Sequence, residues 1–253
     1  MKRFVACCFI GIFLFYINTS EANALILKRK DMEHTGYVIW EVPTSAKVIA
    51  LTFDDGPNQD YTPQILSILK KHRAQATFFT VGRRMQENPR IAKRIAKEGH
   101  ELGNHTMTHM YMKAMGVDQI KNEVNRAEKE IKKLQPNGQL LFRPPGGYVN
   151  PSLLQFAKEQ GYTIILWSWH QDTYDWSGPS AQKIANHVLG NARNGDIVLM
   201  HDGGGNRTQT VEALKIIIPA LQQRGYKCIT ISELLKHRDK QSIPFKNKDK
   251  ENL

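Results

Sequence analysis

The sequence predicts an α/β protein in which about seven parallel strands form a closed or nearly closed barrel. From Val48 onward, short apolar runs rich in β-branched residues alternate with longer stretches of helical periodicity. Connections of this kind join parallel strands through right-handed crossovers. The length of 253 residues suits a single α/β domain with a large core. Polar patches follow several of the apolar runs, which predicts an active site at the carboxyl ends of the strands.

Each strand is predicted from an apolar run that ends at a polar or turn-forming residue. The first helix has a Thr-Pro start at Thr62, the second has Pro89 in its first turn, and the third is charged and amphipathic. The predicted strands are 48–53, 76–81, 101–104, 140–142, 163–169, 197–200 and 228–231, and the predicted helices are 62–72, 88–98, 116–135, 151–160, 180–192 and 210–224.

The first 24 residues read as a secretory signal peptide. Lys2 and Arg3 precede a 14-residue apolar run, and Ala22-Asn23-Ala24 forms a cleavage signal. We therefore expect a secreted or cell-wall-associated bacterial protein. Retention as a membrane anchor is the alternative, although the run is short for a membrane span. The expected organisation is signal peptide 1–24, N-terminal arm 25–46, a folded domain 47–236 and a charged flexible tail 237–253.

The basic charge limits the partners of the exported chain. The formal net charge is +11, and no basic-aromatic motif indicates nucleic-acid binding. An anionic cell-wall polymer or membrane surface would suit this charge, and a solvated surface with no specific partner is the alternative. No obligate protein partner is indicated. The one cysteine after the signal peptide, Cys228, has no disulfide partner and is predicted to be a small core residue.

Two adjacent carboxylates follow the first predicted strand. Asp54 and Asp55 come before Gly56-Pro57, which forces the chain to turn. Because adjacent residues at a strand end point in different directions, one carboxylate can bind a metal while the other acts as a base. A turn with a polar cap and no function is the alternative.

A pair of histidines follows the third strand. His105 and His109 are four residues apart, and a helical turn would place both imidazoles on one face, the spacing of a metal site. Together with Asp55 they would give three N and O ligands and leave one position open, as in catalytic zinc sites. Two surface histidines without function are the alternative.

The remaining patches supply an arginine, a carboxylate and a further histidine. Arg143 precedes a loop stiffened by prolines and opened by glycines, and it could orient a catalytic carboxylate. Asp175 could tune His201 as a general acid. Trp176 and Leu199 could wall a slot as small as a methyl group. Core packing or a rigid turn is the alternative for each. Histidines 34, 72, 100, 170, 187 and 237 are interpreted as structural or surface residues.

In this order, the patches 52–57, 105–109, 143–147, 172–176 and 199–202 resemble the polysaccharide deacetylase family, also called carbohydrate esterase family 4 or the NodB-homology domain. The resemblance covers residues 47–235. It implies a distorted (β/α) barrel and one divalent metal, usually Zn²⁺, with Co²⁺ or another divalent ion as alternatives. It further implies the following roles: Asp55, His105 and His109 as metal ligands, Asp54 as base, Arg143 positioning Asp54, His201 as acid tuned by Asp175, and Trp176 and Leu199 lining the acetyl pocket.

Gly146 departs from the family pattern. The family often has Tyr, or sometimes Arg, at this position, and its backbone N–H helps to hold the oxyanion. Gly146 keeps that N–H, so we expect retained chemistry. We also expect a lower or more mobile groove wall beside the metal, and hence an altered choice of substrate.

The resemblance implies an exported, metal-dependent enzyme that removes N-acetyl groups from amino-sugar polymers. Its substrate would be peptidoglycan or a chitin-like oligomer, and its products acetate and a free amino sugar. An O-acetyl esterase acting on acetylated xylan is one alternative. A non-catalytic wall-glycan-binding protein is another, although such a protein would need no general acid.

The first prediction concerns export. If residues 1–24 are a cleaved signal peptide, the mature protein begins at Leu25, and N-terminal sequencing of protein from the culture supernatant or cell wall will show this. An intact Met1 terminus in the membrane fraction would contradict it and would mean that the segment stays as an anchor.

Overall fold

The computed structural model describes residues 29, 31–113 and 115–239. The predicted signal peptide, and the charged tail beyond residue 239, lie outside the described residues. Within the described ranges, no helix is both long and apolar enough to cross a membrane.

The strands form one parallel sheet that curls into a distorted barrel, which confirms the predicted fold class. Their order is β1-β6-β5-β4-β3-β2-β7, and β8 lies beside the start of β2. Every pairing is parallel. The strands are β1 Val38–Ile39, β2 Val48–Asp54, β3 Ala76–Thr80, β4 Glu101–Asn104, β5 Leu141–Phe142, β6 Thr163–Ile165, β7 Ile197–His201 and β8 Lys227–Cys228.

The chain after β6 nearly closes the barrel. The Ser168 N–H donates to the Ile197 carbonyl at 3.0 Å, and Asp172 forms an isolated parallel bridge with Leu199. All residues of β2 and β3 are buried, because helices cover the outer face of the sheet and side chains fill the inside. This arrangement brings the carboxyl ends of the strands to one rim.

The helices pack against the outside of the sheet through apolar stripes. In α1, for example, Ile65, Leu66 and Leu69 are buried in the main hydrophobic cluster with the residues of β2. The helices are α1 Thr62–Lys71, α2 Gly82–Glu87, α3 Pro89–Lys97, α4 Val117–Lys132, α5 Pro151–Gln160, α6 Ala181–Asn191, α7 Thr208–Gln223 and α8 Ile231–Lys236.

Two predicted strands are too long. The strand predicted at 163–169 ends at Ile165, because the chain then turns through a 3-10 turn at Trp169–Gln171. The strand predicted at 228–231 is Lys227–Cys228, and Ile231 begins α8 instead. Thr230 caps that helix by accepting a hydrogen bond from the Glu233 N–H at 3.3 Å. The short helix α2 was not predicted.

Part of the N-terminal arm joins the sheet. Val38 pairs with Ile164 and Ile39 with Ile165, so β1 extends the barrel beside β6. The arm continues to the β7 side, where the Val42 N–H donates to the Gly195 carbonyl at 3.0 Å. The segment 25–46 therefore contains structure that its weak sequence pattern does not predict.

Cys228 is buried in the main core cluster, as its position predicts. Burial raises the pKa of its thiol to about 12, so the thiol stays protonated and inert.

A matched pair of glycines tests how the arm is held. Gly195 and Gly161 both have left-handed φ angles, of 82° and 74°. A Cβ at Gly195 would lie 1.8 Å from the Val42 carbonyl oxygen, whereas one at Gly161 would meet nothing within 4 Å. We expect Gly161→Ala to cost about 1–2 kcal/mol in the free energy of unfolding, and Gly195→Ala to cost about 1–3 kcal/mol more because of the clash.

Urea unfolding of the two variants measures this difference. Equal losses of stability would mean that the arm does not press against Gly195 in solution.

Candidate active site

The polar patches meet in one cleft at the carboxyl ends of the strands. The cleft has a volume of about 640 Å³. Most of the residues selected from the sequence line it, while Arg143 and Asp175 are buried beneath its floor. The predicted site residues in the lining are Asp54, Asp55, His105, His109, Gly146, Trp176, Leu199 and His201.

The two aspartates are separated by a sharp change in the backbone. Asp54 is the last residue of β2, is only 4% exposed, and accepts a hydrogen bond from Arg143 Nη1 at 2.8 Å. Asp55 has a left-handed φ of 74° and directs its carboxylate toward the histidines instead. The different directions expected of adjacent residues at a strand end are therefore present.

Asp55, His105 and His109 offer ligand atoms that all lie within 4.8 Å of one another. Asp55 Oδ1 is 2.9 Å from His109 Nε2 and 3.5 Å from His105 Nε2. Among the described residues, this buried oxygen nevertheless has no partner in hydrogen-bond geometry. Atoms that converge without bonding one another fit a metal site, and one oxygen with two imidazole nitrogens is a donor set that suits zinc.

The tautomer of His105 is set by a backbone contact. Its Nδ1 lies 2.7 Å from the Arg143 carbonyl oxygen, which can only accept, so Nδ1 carries the proton. The lone pair of Nε2 is then free to bind a metal.

The predicted helical turn at the histidines is wrong. Residues 105–110 form a loop, in which Thr106 and His109 have φ angles of 69° and 62°. The Asn104 side chain accepts from the Thr106 N–H, and Thr106 Oγ1 accepts from the His109 N–H. These bonds hold the loop so that the ring centroids of His105 and His109 are 5.1 Å apart. A helical turn would also have brought the two rings together, but here the loop does so.

The surroundings of Asp55 favour its charged form. Burial alone would raise the pKa of this carboxyl, but the adjacent His105 and His109 rings bring the pKa well below its usual range. An anionic Asp55 is the form that binds a cation.

Arg143 is fully buried beneath Asp54, and each of its three side-chain nitrogens donates a hydrogen bond. Nη1 donates to Asp54 Oδ1 and to Thr52 Oγ1, the latter at 2.7 Å. Nε and Nη2 donate to the carbonyls of Ile165 and Leu166 at 3.0 and 2.9 Å. Burial lowers the pKa of the guanidinium from its ordinary value, and the Asp54 carboxylate opposes that effect. The predicted contact between Arg143 and Asp54 is therefore present.

His201 and Asp175 form a second coupled pair on the other side of the cleft. His201 Nδ1 lies 2.7 Å from Asp175 Oδ1, and Asp175 Oδ2 accepts from the His201 N–H and from Thr210 Oγ1. Burial opposes the charged imidazolium, but Asp175 outweighs it and the pKa of His201 is raised. Burial likewise opposes the Asp175 carboxylate, yet the contact with His201 lowers its pKa. The Nε2 position of His201 faces the cleft.

Leu199 and Trp176 lie on the wall of the cleft, as predicted. Leu199 is buried in β7, whereas Trp176 is 56% exposed and stands at the rim. Leu199 thus provides apolar surface deep in the cleft, and Trp176 provides it at the mouth.

The wall beside Gly146 is not lower, whereas the alternative of a more mobile wall stays a prediction. Gly146 has a φ of 71°, and a Cβ there would lie 2.7 Å from Tyr111 Cε1 and 3.0 Å from Tyr148 Cε2. Two tyrosine rings already stand beside this glycine and line the cleft. A tyrosine at position 146 would strain the backbone and displace these rings.

Several residues of the cleft were not selected from the sequence. Arg84 donates to the Asp55 carbonyl, and Arg207 donates to the Gly203 carbonyl at 2.7 Å. Asp202 is buried behind Gly56, and burial raises the pKa of its carboxyl to about 7. Asp202 and Asp172 carried a sequence signal, because they lie in the patches 199–202 and 172–176. Asp202 itself does not line the cleft, and the unselected lining residues besides Arg84 and Arg207 are Tyr111, Tyr148, Trp167, Asp172 and Gly204.

The histidines interpreted as structural or surface residues do not line the cleft. His170 pairs with Asp196 at 2.9 Å, and burial lowers the pKa of His100 to about 4.

Comparison with known proteins identifies related chains. The family model described as polysaccharide deacetylase matches residues 41–165. The chain is 51% identical to a peptidoglycan-N-acetylglucosamine deacetylase of Bacillus cereus over 213 residues, which cover 84% of this chain and 100% of the relative. It is 37% identical to a chitooligosaccharide deacetylase of Sinorhizobium fredii, covering 72% and 89%. A crystal structure of a peptidoglycan N-acetylglucosamine deacetylase in complex with 4-naphthalen-1-yl-N-oxidanyl-benzamide superimposes with a TM-score of 0.75 at 36% identity, covering 80% and 95%.

The metal site gives a prediction on affinity. His105 is one of the three residues whose ligand atoms converge, so His105→Ala should weaken Zn²⁺ binding at least about 100-fold if these residues hold the ion. Asp54→Asn should leave the affinity within about threefold, since Arg143 holds Asp54 Oδ1 and Oδ2 lies 3.9 Å from His105 Nε2, outside the converging set of ligand atoms. Isothermal titration of the metal-free protein with Zn²⁺ measures both values.

His72→Ala is the matched control, because His72 lies outside the cleft and should not alter the affinity. Loss of metal binding in Asp54→Asn, with His105→Ala unaffected, would reverse the assignment of ligands.

Proposed function

Because the chain belongs to the polysaccharide deacetylase family, we propose that it is an exported, metal-dependent hydrolase that removes N-acetyl groups from amino-sugar polymers. The proposal depends on one observation: three separate groups of side chains, each suited to a different chemical role, meet in one cleft. Asp55 and the two histidines converge as ligands, Asp54 is held apart by Arg143, and His201 is coupled to Asp175.

Asp55, His105 and His109 would hold the cation, and we propose Zn²⁺, with Co²⁺ or another divalent ion as alternatives. When bound, the cation supplies positive charge that polarises the acetyl carbonyl and makes a nearby water more acidic.

Asp54 would accept the proton of the attacking water. Arg143 occupies Oδ1 of this carboxylate at 2.8 Å, which leaves Oδ2 for the water. The guanidinium also keeps the side chain in one orientation, so the base does not have to be ordered when the substrate binds.

Gly146 and the apolar wall would receive the acetyl group. The backbone N–H of Gly146 would donate to the oxyanion that forms on the carbonyl oxygen when water adds to the carbonyl carbon, and this requires no side chain. Leu199 and Trp176 would contact the methyl group from the wall of the cleft.

His201 would protonate the leaving amine. The Nδ1 proton is held by Asp175 at 2.7 Å, so Nε2 carries the proton that faces the cleft when the ring is charged. The raised pKa of His201 keeps the imidazolium populated to higher pH. The amine leaves with this proton as the C–N bond breaks, and acetate remains.

We propose peptidoglycan or a chitin-like oligomer as substrate, which the names of the two relatives support. The net charge of +11 supports contact with an anionic cell-wall polymer. The Ala22-Asn23-Ala24 signal supports secretion or wall attachment.

A substrate panel tests this function. The purified protein should release acetate from N-acetylglucosamine oligomers or peptidoglycan. A chelator should abolish the release, and Asp54→Asn should reduce kcat by about 10²- to 10⁴-fold. Acetate release from acetylated xylan alone would make the chain an O-acetyl esterase. Binding of wall glycan with no acetate release from any substrate would make it a binding protein. Either outcome would overturn the proposal.

The coupled pair predicts a shift in pH dependence. A general acid with a raised pKa stays protonated to higher pH, so activity is lost as the pH rises through that pKa. Asp175→Asn removes the carboxylate that raises it, and the alkaline limb of kcat/KM should move to lower pH.

Asp196→Asn is the matched control, since Asp196 pairs with His170 outside the cleft. An unchanged alkaline limb in Asp175→Asn would show that His201 does not set it.

A further inference from the structure

A basic cavity of about 720 Å³ lies at the opposite end of the barrel from the catalytic cleft. It is bordered by the connection from α1 to β3 and by the connection from α3 to β4, so it lies at the amino ends of these two strands. The catalytic cleft opens at the carboxyl ends of the strands. Molecules bound at the two places would therefore not compete for the same space.

The lining of the basic cavity holds four cations and one acid, which leaves three positive charges in excess. Lys70 and Arg73 come from the end of α1 and the residues after it. Arg94 and Lys97 come from the last turn of α3. The acid is Glu98, whose Oε1 accepts from Arg94 Nε at 2.8 Å. Within the part of the chain that the structure describes, the other three cations form no ion pair, so their charge is available to a ligand.

The position of Arg73 is unusual for a charged side chain. Its φ is 50°, and the turn is held by the Ala74 N–H, which donates to the Leu69 carbonyl at 3.0 Å. Glycine or asparagine normally occupies the left-handed position after a helix. The helix dipole explains cations in the last turn of a helix, such as Lys70 and Lys97. It does not explain an arginine at a strained position beyond the helix end.

His100 and Glu98 leave polar atoms unsatisfied in the lining of the same cavity. His100 is 3% exposed, and among the described residues neither its two ring nitrogens nor Glu98 Oε2 has a hydrogen-bond partner. Burial lowers the pKa of His100 to about 4, so the neutral ring has one N–H donor and one acceptor nitrogen. Buried polar atoms without partners are uncommon and are found beside bound ions and functional sites. Here they indicate a ligand that carries both acceptors and donors.

We propose that the basic cavity binds a phosphate group within a chain of polyol phosphates, an anionic polymer distinct from the glycan that the cleft would deacetylate. The phosphate oxygens would accept from the cations, and a hydroxyl of the adjoining polyol would donate to Glu98. This binding goes beyond the proposed function and does not depend on it. Its one consequence for that function is that the bound polymer would hold the protein while the cleft stays open to its own substrate.

The chemistry of the lining favours a phosphate chain over other anions. The planar N–H groups of Arg73 and Arg94 match phosphate oxygens. The two free oxygens of a phosphodiester lie in the chain itself and point to opposite sides, so cations from both helix ends can reach them. The two oxygens of a carboxylate lie together at the end of a side group. The cavity is also several times larger than one phosphate ion, which gives room for the units on either side of it.

A charge-matched pair of double variants tests the site. Lys70→Gln with Lys97→Gln removes two exposed cations of the cavity, and binding of a synthetic glycerol phosphate oligomer should weaken about tenfold in titration calorimetry at low salt. Lys129→Gln with Lys158→Gln removes the same charge, also from exposed last-turn positions of helices, but outside the cavity. This control should bind within about twofold of the wild type. Equal weakening in both pairs would show general attraction to a basic protein and would overturn the proposal.

Arg73→Gly separates binding from folding. Glycine suits a φ of 50°, so the midpoint of urea unfolding should not fall, whereas binding of the oligomer should weaken about threefold. Arg73→Lys keeps the cation and should recover most of the affinity. Unchanged binding in Arg73→Gly, or a fall in affinity that follows a fall in the unfolding midpoint, would mean that Arg73 has no part in binding and would overturn the assignment.

Two further ligands identify the source of the phosphate. Inorganic phosphate should bind at least about tenfold more weakly than the oligomer, and binding of poly-glutamate should not depend on Lys70 and Lys97. Phosphate ion as tight as the oligomer would mean a site for the free ion, and poly-glutamate with the same dependence would mean a site for any polyanion. Either result would overturn the proposal.

The oligomer carries no acetyl group, so its binding is measured apart from deacetylation. Lys70→Gln with Lys97→Gln should leave kcat/KM on short N-acetylglucosamine oligomers unchanged, because the cavity is remote from the cleft. Oligomer binding that depends on these lysines, in a protein that releases no acetate, would support the basic cavity and refute the deacetylase function. Acetate release with oligomer binding that is the same in wild type and variant would refute the basic cavity alone.

Discussion

The buried guanidinium of Arg143 is the constraint on which the rest of the site depends. It is 0% exposed, and it reaches Asp54, Thr52 and two carbonyls of the chain that leaves β6. Its own carbonyl oxygen sets the tautomer of His105. A buried charge costs several kcal/mol unless every donor is satisfied, so the strands must approach in one register. One residue thus holds the proposed base and joins neighbouring strands through its side chain, and it prepares a proposed ligand through its backbone carbonyl.

That constraint explains how two adjacent carboxylates take different roles. The Arg143 contact holds Asp54 along the direction of β2, while the left-handed backbone at Asp55 turns the next carboxylate toward the histidines. The proposed acid on the far side is held in the same way, because Asp175 fixes His201 through both side-chain and backbone contacts. Each reactive group is oriented by a charged partner that is itself buried, and the groups remain apart within one cleft.

The sequence predicted the barrel and most of the site because both follow from strand ends. In a parallel barrel, a polar patch that directly follows a buried strand, as at Asp54, lies at the carboxyl end of that strand and therefore on the common rim. What could not be predicted depends on tertiary contacts. The loop that brings His109 to Asp55 is shaped by side-chain bonds to Thr106. Tyr111 and Tyr148 reach the cleft from loops with no periodic pattern.

The most direct measurement of the central claim is an anomalous difference map at the zinc absorption edge, from crystals grown with Zn²⁺. If Arg143 keeps Asp54 out of the ligand set, one peak will lie at about 2.0–2.2 Å from Asp55, His105 and His109. Asp54 will then remain hydrogen-bonded to the Arg143 guanidinium, outside bonding distance of the ion. A peak coordinated by Asp54, with its contact to Arg143 broken, would contradict the account.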